Sequence, residues 1–298
     1  MIRKANIAAL LMFVFSLAGA QGSSVGSSQL KIPLAARSAA LGESTIADPG
    51  QLSSWLVNPA NLLSAFPFAV ALTHAQWMQD IQSEFLAARI PFASGTLGLG
   101  VSTNSVPGIE IRDVPGPALG TFSARFATFQ LGYSQNLTND IILGASAKYL
   151  YEKLYVDEAT GFGLDAGIVY CTPVQGLNAG FALTNIGGLQ EFRSDRSDLP
   201  TFSRVGASYA FQQDELCFSL SGSWASNLRD RENHLQGSLE TTYNQKVSLR
   251  VGYQTGYESR ALSAGIGICF EFVQLDYAYV PFSLGLGDSH LFSLGFQF

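Results

Sequence analysis

The chain has 298 residues, of which 47% are hydrophobic, 12% aromatic and only 13% charged, with a formal net charge of −6. That charged fraction is about half of the ~25% usual in soluble proteins. An acidic chain without a basic cluster argues against a nucleic-acid partner. The composition favours a protein that faces lipid.

Residues 1–20 have the pattern of a secretory signal peptide. Arg3 and Lys4 precede the apolar run 5–17, and the small residues 18–20 form a cleavage site before Gln21. The apolar run is shorter than the ~20 residues of a spanning helix, which favours cleavage over a membrane anchor. We therefore expect an exported chain that begins near Gln21.

Residues 21–65 lack the periodicity of strands and are expected to form an N-terminal plug. The segment starts with a Gly/Ser-rich leader, but its second half is too apolar to remain as a disordered tail in water. A wide barrel leaves a lumen that such a segment can fill. The candidate plug or ligand-contact residues are Trp55, Asn58, Pro59, Ala60, Leu62, Leu63 and Phe66.

Residues 66–298 alternate between apolar and small or polar side chains in segments of about ten residues. One example is the apolar series Val247, Leu249, Val251 and Tyr253, which is interleaved with Ser, Arg and Gly. This period-2 pattern predicts an all-β protein, a transmembrane antiparallel β-barrel of about 14 strands. A soluble β-sandwich also alternates, but it does not explain the signal peptide or the tyrosines near the predicted strand ends.

The connections alternate between short and long, the longer ones falling at about 104–120, 152–160 and 187–200 among others. Short turns are periplasmic in outer-membrane barrels, so both chain termini are expected in the periplasm. The last strand should turn Phe292 to Phe298 toward outer-membrane lipid. Its terminal Phe298 resembles the signal that the barrel assembly machinery recognises, which makes that machinery an expected partner.

Five stretches carry a family resemblance: LKIPLAARSAALGES (30–44), SSWLVNPANLLS (53–64), GIEIRDVPGPALGTFSA (108–124), KYLYEKLYVDEATGFGLDAG (148–167) and GLNAGFALTNIG (176–187). Together they resemble the PorV/PorQ family of outer-membrane proteins, which are similar to FadL-type fatty-acid channels. Asn58-Pro59-Ala60 matches the NPA of the FadL-type plug. The resemblance covers nearly the whole chain after the predicted signal peptide.

This resemblance implies a plugged fourteen-stranded barrel without enzymatic activity or cofactor, and it leaves two functions open. A PorV-like component of type IX protein secretion would contact cargo or machinery proteins through its loops. The apolar loop residues Ile109, Ile111, Val114 and Pro115 favour that hypothesis. A FadL-like channel would pass hydrophobic molecules such as fatty acids through an apolar pocket between wall and plug, and the NPA plug favours that alternative.

Several ionisable residues share the inward register of the predicted strands. A three-residue turn at 244–246 places Glu240 opposite Arg250 as a cross-strand ion pair. The same register holds Lys148, Asp165, His234 and Asp276. These residues could form a polar track for a ligand, but a network that joins plug and wall is the favoured interpretation because buried charges must be paired. No metal-ligand spacing or catalytic set was found.

Overall fold

The computed structural model describes residues 26–64, 68–112, 114–192 and 195–298. The predicted signal peptide and Phe66 lie outside these ranges. Within them, the period-2 segments form one antiparallel sheet that closes on itself where β1 pairs with β15, with His74 opposite Phe292. No helix in this part of the chain has the length and apolarity needed to cross a membrane.

The strands follow one another around the wall in chain order. Their bounds are β1 (Ala69–Gln76), β2 (Gln82–Phe92), β3 (Gly95–Ile111), β4 (Gly120–Asn136), β5 (Ile141–Leu154), β6 (Asp157–Cys171), β7 (Leu177–Phe192), β8 (Asp195–Asp198), β9 (Phe202–Gln213), β10 (Leu216–Asn227), β11 (Glu232–Tyr243), β12 (Val247–Gln254), β13 (Leu262–Phe270), β14 (Val273–Pro281) and β15 (Asp288–Gln297).

The wall contains fourteen strands, as the sequence predicts. The short β8 pairs with the far end of β7, with Gly188 opposite Asp198, and the chain enters β9 after residues 199–201. Strands β8 and β9 therefore both pair with β7 and together count as one interrupted strand of the wall. Leu199 in the interruption points inward and is fully buried.

The two ends of the barrel differ in their connections. At one end, which we call the turn end, tight turns include residues 93–94, 244–246 and 271–272. At the other, the loop end, connections include 77–81, 228–231 and 255–261. Two predicted loops are shorter than expected: strand pairing extends to Ile111 and resumes at Gly120, and only residues 155–156 separate β5 from β6. The predicted loops are too long because backbone hydrogen bonding between β3 and β4 continues past the residues whose side chains clearly alternate.

Residues 26–64, which we call the plug, lie inside the barrel as a series of short turns. They contain one α-helix, α1 (Ala36–Ala40), and 3-10 turns at Ser28–Lys31, Leu52–Ser54 and Pro59–Leu62. Asn58 starts the last of these turns: its side chain accepts a hydrogen bond from the Ala60 amide at 3.0 Å, and Pro59 occupies the first helical position. Both features favour a helical start at this point.

The plug runs through the lumen from the loop end to the turn end. The Gly26 amide donates to the Asp198 carbonyl at 3.1 Å, whereas the Phe298 amide donates to the Phe68 carbonyl at 2.9 Å, beside the start of β1. Gly26 and Phe298 thus lie at opposite ends of the barrel. The N-terminus itself lies outside the described ranges, so the expectation that both termini face the periplasm stays a prediction.

Glycines on the inner wall make room for the plug. A β-carbon on Gly98 would lie 2.8 Å from Leu62, and one on Gly132 would lie 2.8 Å from the Trp55 indole. One on Gly144 would lie 2.3 Å from the Ala60 backbone nitrogen. Real β-carbons do not approach other heavy atoms so closely, so a larger residue would displace part of the plug, most of all at Gly144, where the neighbour is backbone.

Candidate functional site

Three of the cavities along the described plug follow one another, and the largest of these three is at the loop end. This cavity, which we call the vestibule, has a volume of about 550 Å³, is partly open and is mostly apolar. Its lining includes Trp77, Phe126, Glu152, Leu154, Tyr257 and Phe282. Its volume falls within the ~300–1,000 Å³ of small-molecule sites, and its mostly apolar lining is typical of them.

Two smaller cavities continue from the vestibule toward the turn end. The middle cavity has a volume of about 60 Å³, and Ile32 lines both it and the vestibule. The lower cavity has a volume of about 40 Å³ beside β1, β14 and β15, and Ser53 and Phe85 line both it and the middle cavity. The three cavities form an interrupted route beside the plug, narrowed at Ile32 and again at Ser53 and Phe85.

A stack of aromatic and cationic side chains stands at the loop end. Tyr257 stacks on the His234 ring with centroids 3.9 Å apart, and the Arg260 guanidinium lies 4.2 Å from the centre of the Tyr257 ring. Arg260 also lies 5.5 Å from the Trp77 ring and 3.5 Å from the Glu43 carboxylate of the plug. Burial raises the pKa of the Tyr257 hydroxyl, so this group stays protonated and neutral.

The middle cavity has a polar side. Lys148 donates to Asp165 at 3.0 Å and to the Asn185 side-chain oxygen at 2.6 Å. Arg204 donates through Nη1 to Thr184 at 2.8 Å, while its Nε has no hydrogen-bond partner in the described chain. Apolar plug residues, including Leu30 and Leu56, form the opposite side. The cavity can therefore accommodate an apolar group beside hydrogen-bond donors.

A buried ion cluster ties the plug to the wall. The structure places Glu240 opposite Arg250, with 2.6 Å between carboxylate and guanidinium, and Arg250 also contacts Asp276 at 2.6 Å. From the plug, Arg37 donates to Glu240 at 2.6 Å and pairs with Asp48. Burial alone would lower the pKa of the Arg37 guanidinium, but these two carboxylates raise it overall, so Arg37 remains charged.

The predicted lumen residues do not form one network. Glu240, Arg250 and Asp276 belong to the ion cluster, whereas Lys148 and Asp165 form a separate pair on β5 and β6. His234 stacks on Tyr257 at the loop end instead. The single inward register placed them correctly on the inner face, but their separation around the wall depends on barrel closure. Of these predicted lumen residues, Glu240 is the one that pairs with a charged side chain of the described plug, Arg37.

The predicted plug residues are packed and do not line the vestibule. Trp55, Asn58, Ala60 and Leu62 are each 0% exposed. Pro59 is buried as well, and Leu63 is half-buried beside Ala60. Wall glycines let these residues close against the strands, and their role as ligand contacts stays a prediction. The space available to a ligand lies toward the loop end.

The four predicted loop residues divide into two pairs. Ile109 and Ile111 belong to β3 and are half-buried, so they are not free loop residues. Val114 and Pro115 lie in the connection and are exposed, and Val114 has 72% of its surface accessible. The hairpin of β3 and β4 thus carries an exposed apolar tip beyond the paired strands.

Sequence reasoning missed Glu152, Arg204 and the plug residue Arg37. Glu152 lies four residues after Lys148 on the same face of β5, so its parity alone indicated an inward side chain. It was assigned instead to a loop at 152–160. Arg204 likewise has the opposite parity to the outward Tyr209 on β9. Arg37 carries no such signal because the plug has no regular period.

No protein-family model matches the sequence, and a search of curated proteins finds no relative. Solved structures do match. CymD, a monoaromatic hydrocarbon channel, aligns with 89% of this chain and 97% of its own at 12% identity, with a TM-score of 0.63. The toluene transporter TodX from Pseudomonas putida aligns with 93% of this chain and 98% of its own at 12% identity, with a TM-score of 0.60.

The chain has the fold of these channels. Both alignments extend over nearly the whole of the solved chains, so the likeness concerns the complete fold and not one hairpin. The FadL-like barrel implied by the sequence resemblance fits these structural neighbours.

Proposed function

We propose that the protein is an outer-membrane channel for small hydrophobic molecules and acts by binding and conduction without covalent chemistry. The run of cavities beside the plug carries this proposal. A ligand enters the mostly apolar vestibule at the loop end and passes Ile32 into the middle cavity. Small side-chain movements at Ile32 and Phe85 open the route, whereas the ion cluster at Arg37 holds the plug in place.

Two further observations support this function. The outward faces of the strands carry exposed apolar residues such as Leu99, Leu131 and Leu249, which suit a lipid environment. The structural neighbours include a monoaromatic hydrocarbon channel and a toluene transporter. In this proposal the loop end is extracellular, the turn end is periplasmic and the final strand at Phe298 is recognised by the barrel assembly machinery.

Uptake of N-phenyl-1-naphthylamine by bacteria expressing the protein tests the proposal, because this probe fluoresces once it passes the outer membrane. We expect the wild-type protein to accelerate uptake several-fold over cells with an empty vector. Ile32→Trp should return uptake to the vector level by filling the junction of two cavities, whereas Ile32→Ala should preserve it. Val205→Trp, which adds the same side chain on the outward face, is the matched control.

The proposal fails if wild-type cells take up the probe no faster than vector cells, or if Ile32→Trp has no effect. Each variant must first show the heat-dependent electrophoretic shift of a folded barrel. This check separates a blocked route from a barrel that did not assemble.

A role in protein secretion is the second candidate. It is supported by the PorV/PorQ resemblance and by the exposed apolar tip of the β3–β4 hairpin, where Val114 and Leu119 are 72% and 70% exposed. Quantitative proteomics of surface and medium in a deletion strain tests this role. Loss of a defined set of secreted proteins, with accumulation in the periplasm and restoration by complementation, would favour it, and an unchanged set would exclude it.

A further inference from the structure

Glu152 presents a carboxylate to the vestibule, and no cation of the described residues pairs with it. It is 4% exposed, and its Oε1 accepts hydrogen bonds from Ser27 at 2.5 Å and from the Gln29 amide at 2.7 Å. Both donors are neutral. In the described part of the chain, Oε2 has no hydrogen-bond partner, and Glu152 forms no ion pair. A carboxylate oxygen on the wall of an open cavity that no protein donor reaches can accept a hydrogen bond from a ligand.

Two cations line the vestibule among the described residues, and both are already paired with other acids. Lys31 contacts Asp230 at 2.6 Å and Glu232 at 3.6 Å. Arg260 pairs with Glu43 and covers the faces of two aromatic rings. Neither contacts Glu152, so the negative charge of this carboxylate is not balanced by either of them.

An aromatic ring stands directly beside this carboxylate. Phe126 on β4 and Glu152 on β5 are opposite each other in the strand register, and both side chains line the vestibule. Opposite residues on neighbouring strands have β-carbons about 4.5–5.5 Å apart. On the other side of Glu152, the register partner on β6 is the small, buried Ala159. A carboxylate next to an aromatic face is a favourable environment for an ammonium group.

We propose that the vestibule binds amphipathic amines: molecules that join a protonated amino group to an apolar body of aromatic size. The ammonium group donates to Oε2 of Glu152 and lies against Phe126. The apolar body contacts Leu154 and Leu189, which line the same cavity. This inference rests on the proposed function in one respect, that the vestibule is where the transported molecule enters.

Calorimetric titration of the folded protein in uncharged detergent micelles tests this, with empty micelles as the blank. The probes are 4-phenylbutylamine, 4-phenylbutanol and 4-phenylbutyrate, which share a body and differ in the polar group. We expect the amine to bind about tenfold more tightly than the alcohol, because a charge-assisted hydrogen bond is roughly twice as strong as a neutral one. The carboxylate should bind most weakly.

The decisive variant is Glu152→Gln, which keeps an oxygen for Ser27 and Gln29 but removes the charge. It should lose the preference for the amine while binding the alcohol with unchanged affinity. Glu158→Gln is the matched control, because Glu158 is near the same end but exposed and paired with Lys153 at 2.6 Å. The control should behave like the wild-type protein.

Equal binding of amine and alcohol by the wild-type protein, a preference for the carboxylate, or an amine preference that survives in Glu152→Gln would each overturn the inference. So would the absence of binding by any probe. In all four cases the proposed function stands if uptake of N-phenyl-1-naphthylamine still depends on Ile32. If uptake of N-phenyl-1-naphthylamine did not depend on Ile32, the proposed function itself would be wrong.

Discussion

The two halves of the lumen are built from the same strands but filled differently. Toward the turn end, β3, β4 and β5 turn Gly98, Gly132 and Gly144 inward, and the plug packs against them without a gap. Toward the loop end, β4 and β5 turn Phe126 and Glu152 inward, and a cavity of about 550 Å³ remains. The inward wall residues named here are small in the filled half of the lumen and larger in the open half.

The difference shows that the plug, and not the wall alone, decides where a ligand has room. Wall glycines create space that Trp55 and Leu62 occupy completely. The larger residues near the loop end stand back from a thin segment of plug, residues 26–32, which leaves the vestibule unfilled. A functional division between an anchored half and a binding half follows from this packing.

The largest expected effect comes from filling a glycine site in the packed half. Gly144→Val would place side-chain atoms where the Ala60 nitrogen and the Pro59 carbonyl now lie, so the plug cannot seat. We expect plug residues near Arg37 to become sensitive to trypsin in the isolated protein. Gly222→Ala is the control, because the nearest atom to its added carbon is 3.9 Å away. In this variant the plug near Arg37 should remain as resistant to trypsin as in the wild-type protein.

The ion cluster should produce the second largest effect. Arg250→Leu leaves the Asp276 carboxylate without its guanidinium partner. It also removes one of the two guanidinium groups that pair with the Glu240 carboxylate. Breaking a buried pair costs about 3–5 kcal/mol, which should lower the denaturant midpoint in an equilibrium unfolding experiment. Lys153→Leu removes a solvent-exposed pair and should not shift the midpoint. Equal midpoints for Arg250→Leu and wild type would show that the cluster does not stabilise the barrel.

A smaller effect is expected at Asn58, which joins the plug to itself and to the wall. Its amide donates to the Ile46 carbonyl at 2.7 Å and to the Ile168 carbonyl at 3.2 Å. Asn58→Ala removes the side-chain donor of both carbonyl groups. We expect it to destabilise the protein by about 1–3 kcal/mol in denaturant unfolding. Ser53→Ala is the control, since the buried Ser53 hydroxyl has no hydrogen-bond partner among the described residues and its loss should cost nothing measurable.

The smallest effect on stability is expected in the open half. Phe126→Leu shortens a half-buried side chain that borders the vestibule, so little packing is lost. We expect a change of less than about 1 kcal/mol in the same unfolding experiment. Binding of 4-phenylbutylamine should nevertheless weaken several-fold. A large loss of stability would mean that the two halves of the lumen do not differ in the way described.

The sequence predicts the wall better than the interior, for a physical reason. Alternation along a strand is local, so the outward side of Phe292 and the inward side of Arg250 follow from parity alone. The pairing of Glu240 with Arg250 follows from a turn of three residues. The local sequence does not predict that Lys148 and Glu240 belong to separate clusters, because this depends on the distance between their strands around the closed barrel.

The sequence by itself determined the fourteen-stranded wall and the inward or outward face of residues in its clearly alternating segments, because these depend on period and turn spacing. Only the tertiary structure decided which glycine receives Trp55 and where the vestibule opens. It also showed that Glu152 meets Ser27 rather than a cation. Those contacts join residues far apart in the sequence, 125 positions for Ser27 and Glu152, when the barrel closes around the plug, and no local pattern encodes such distances.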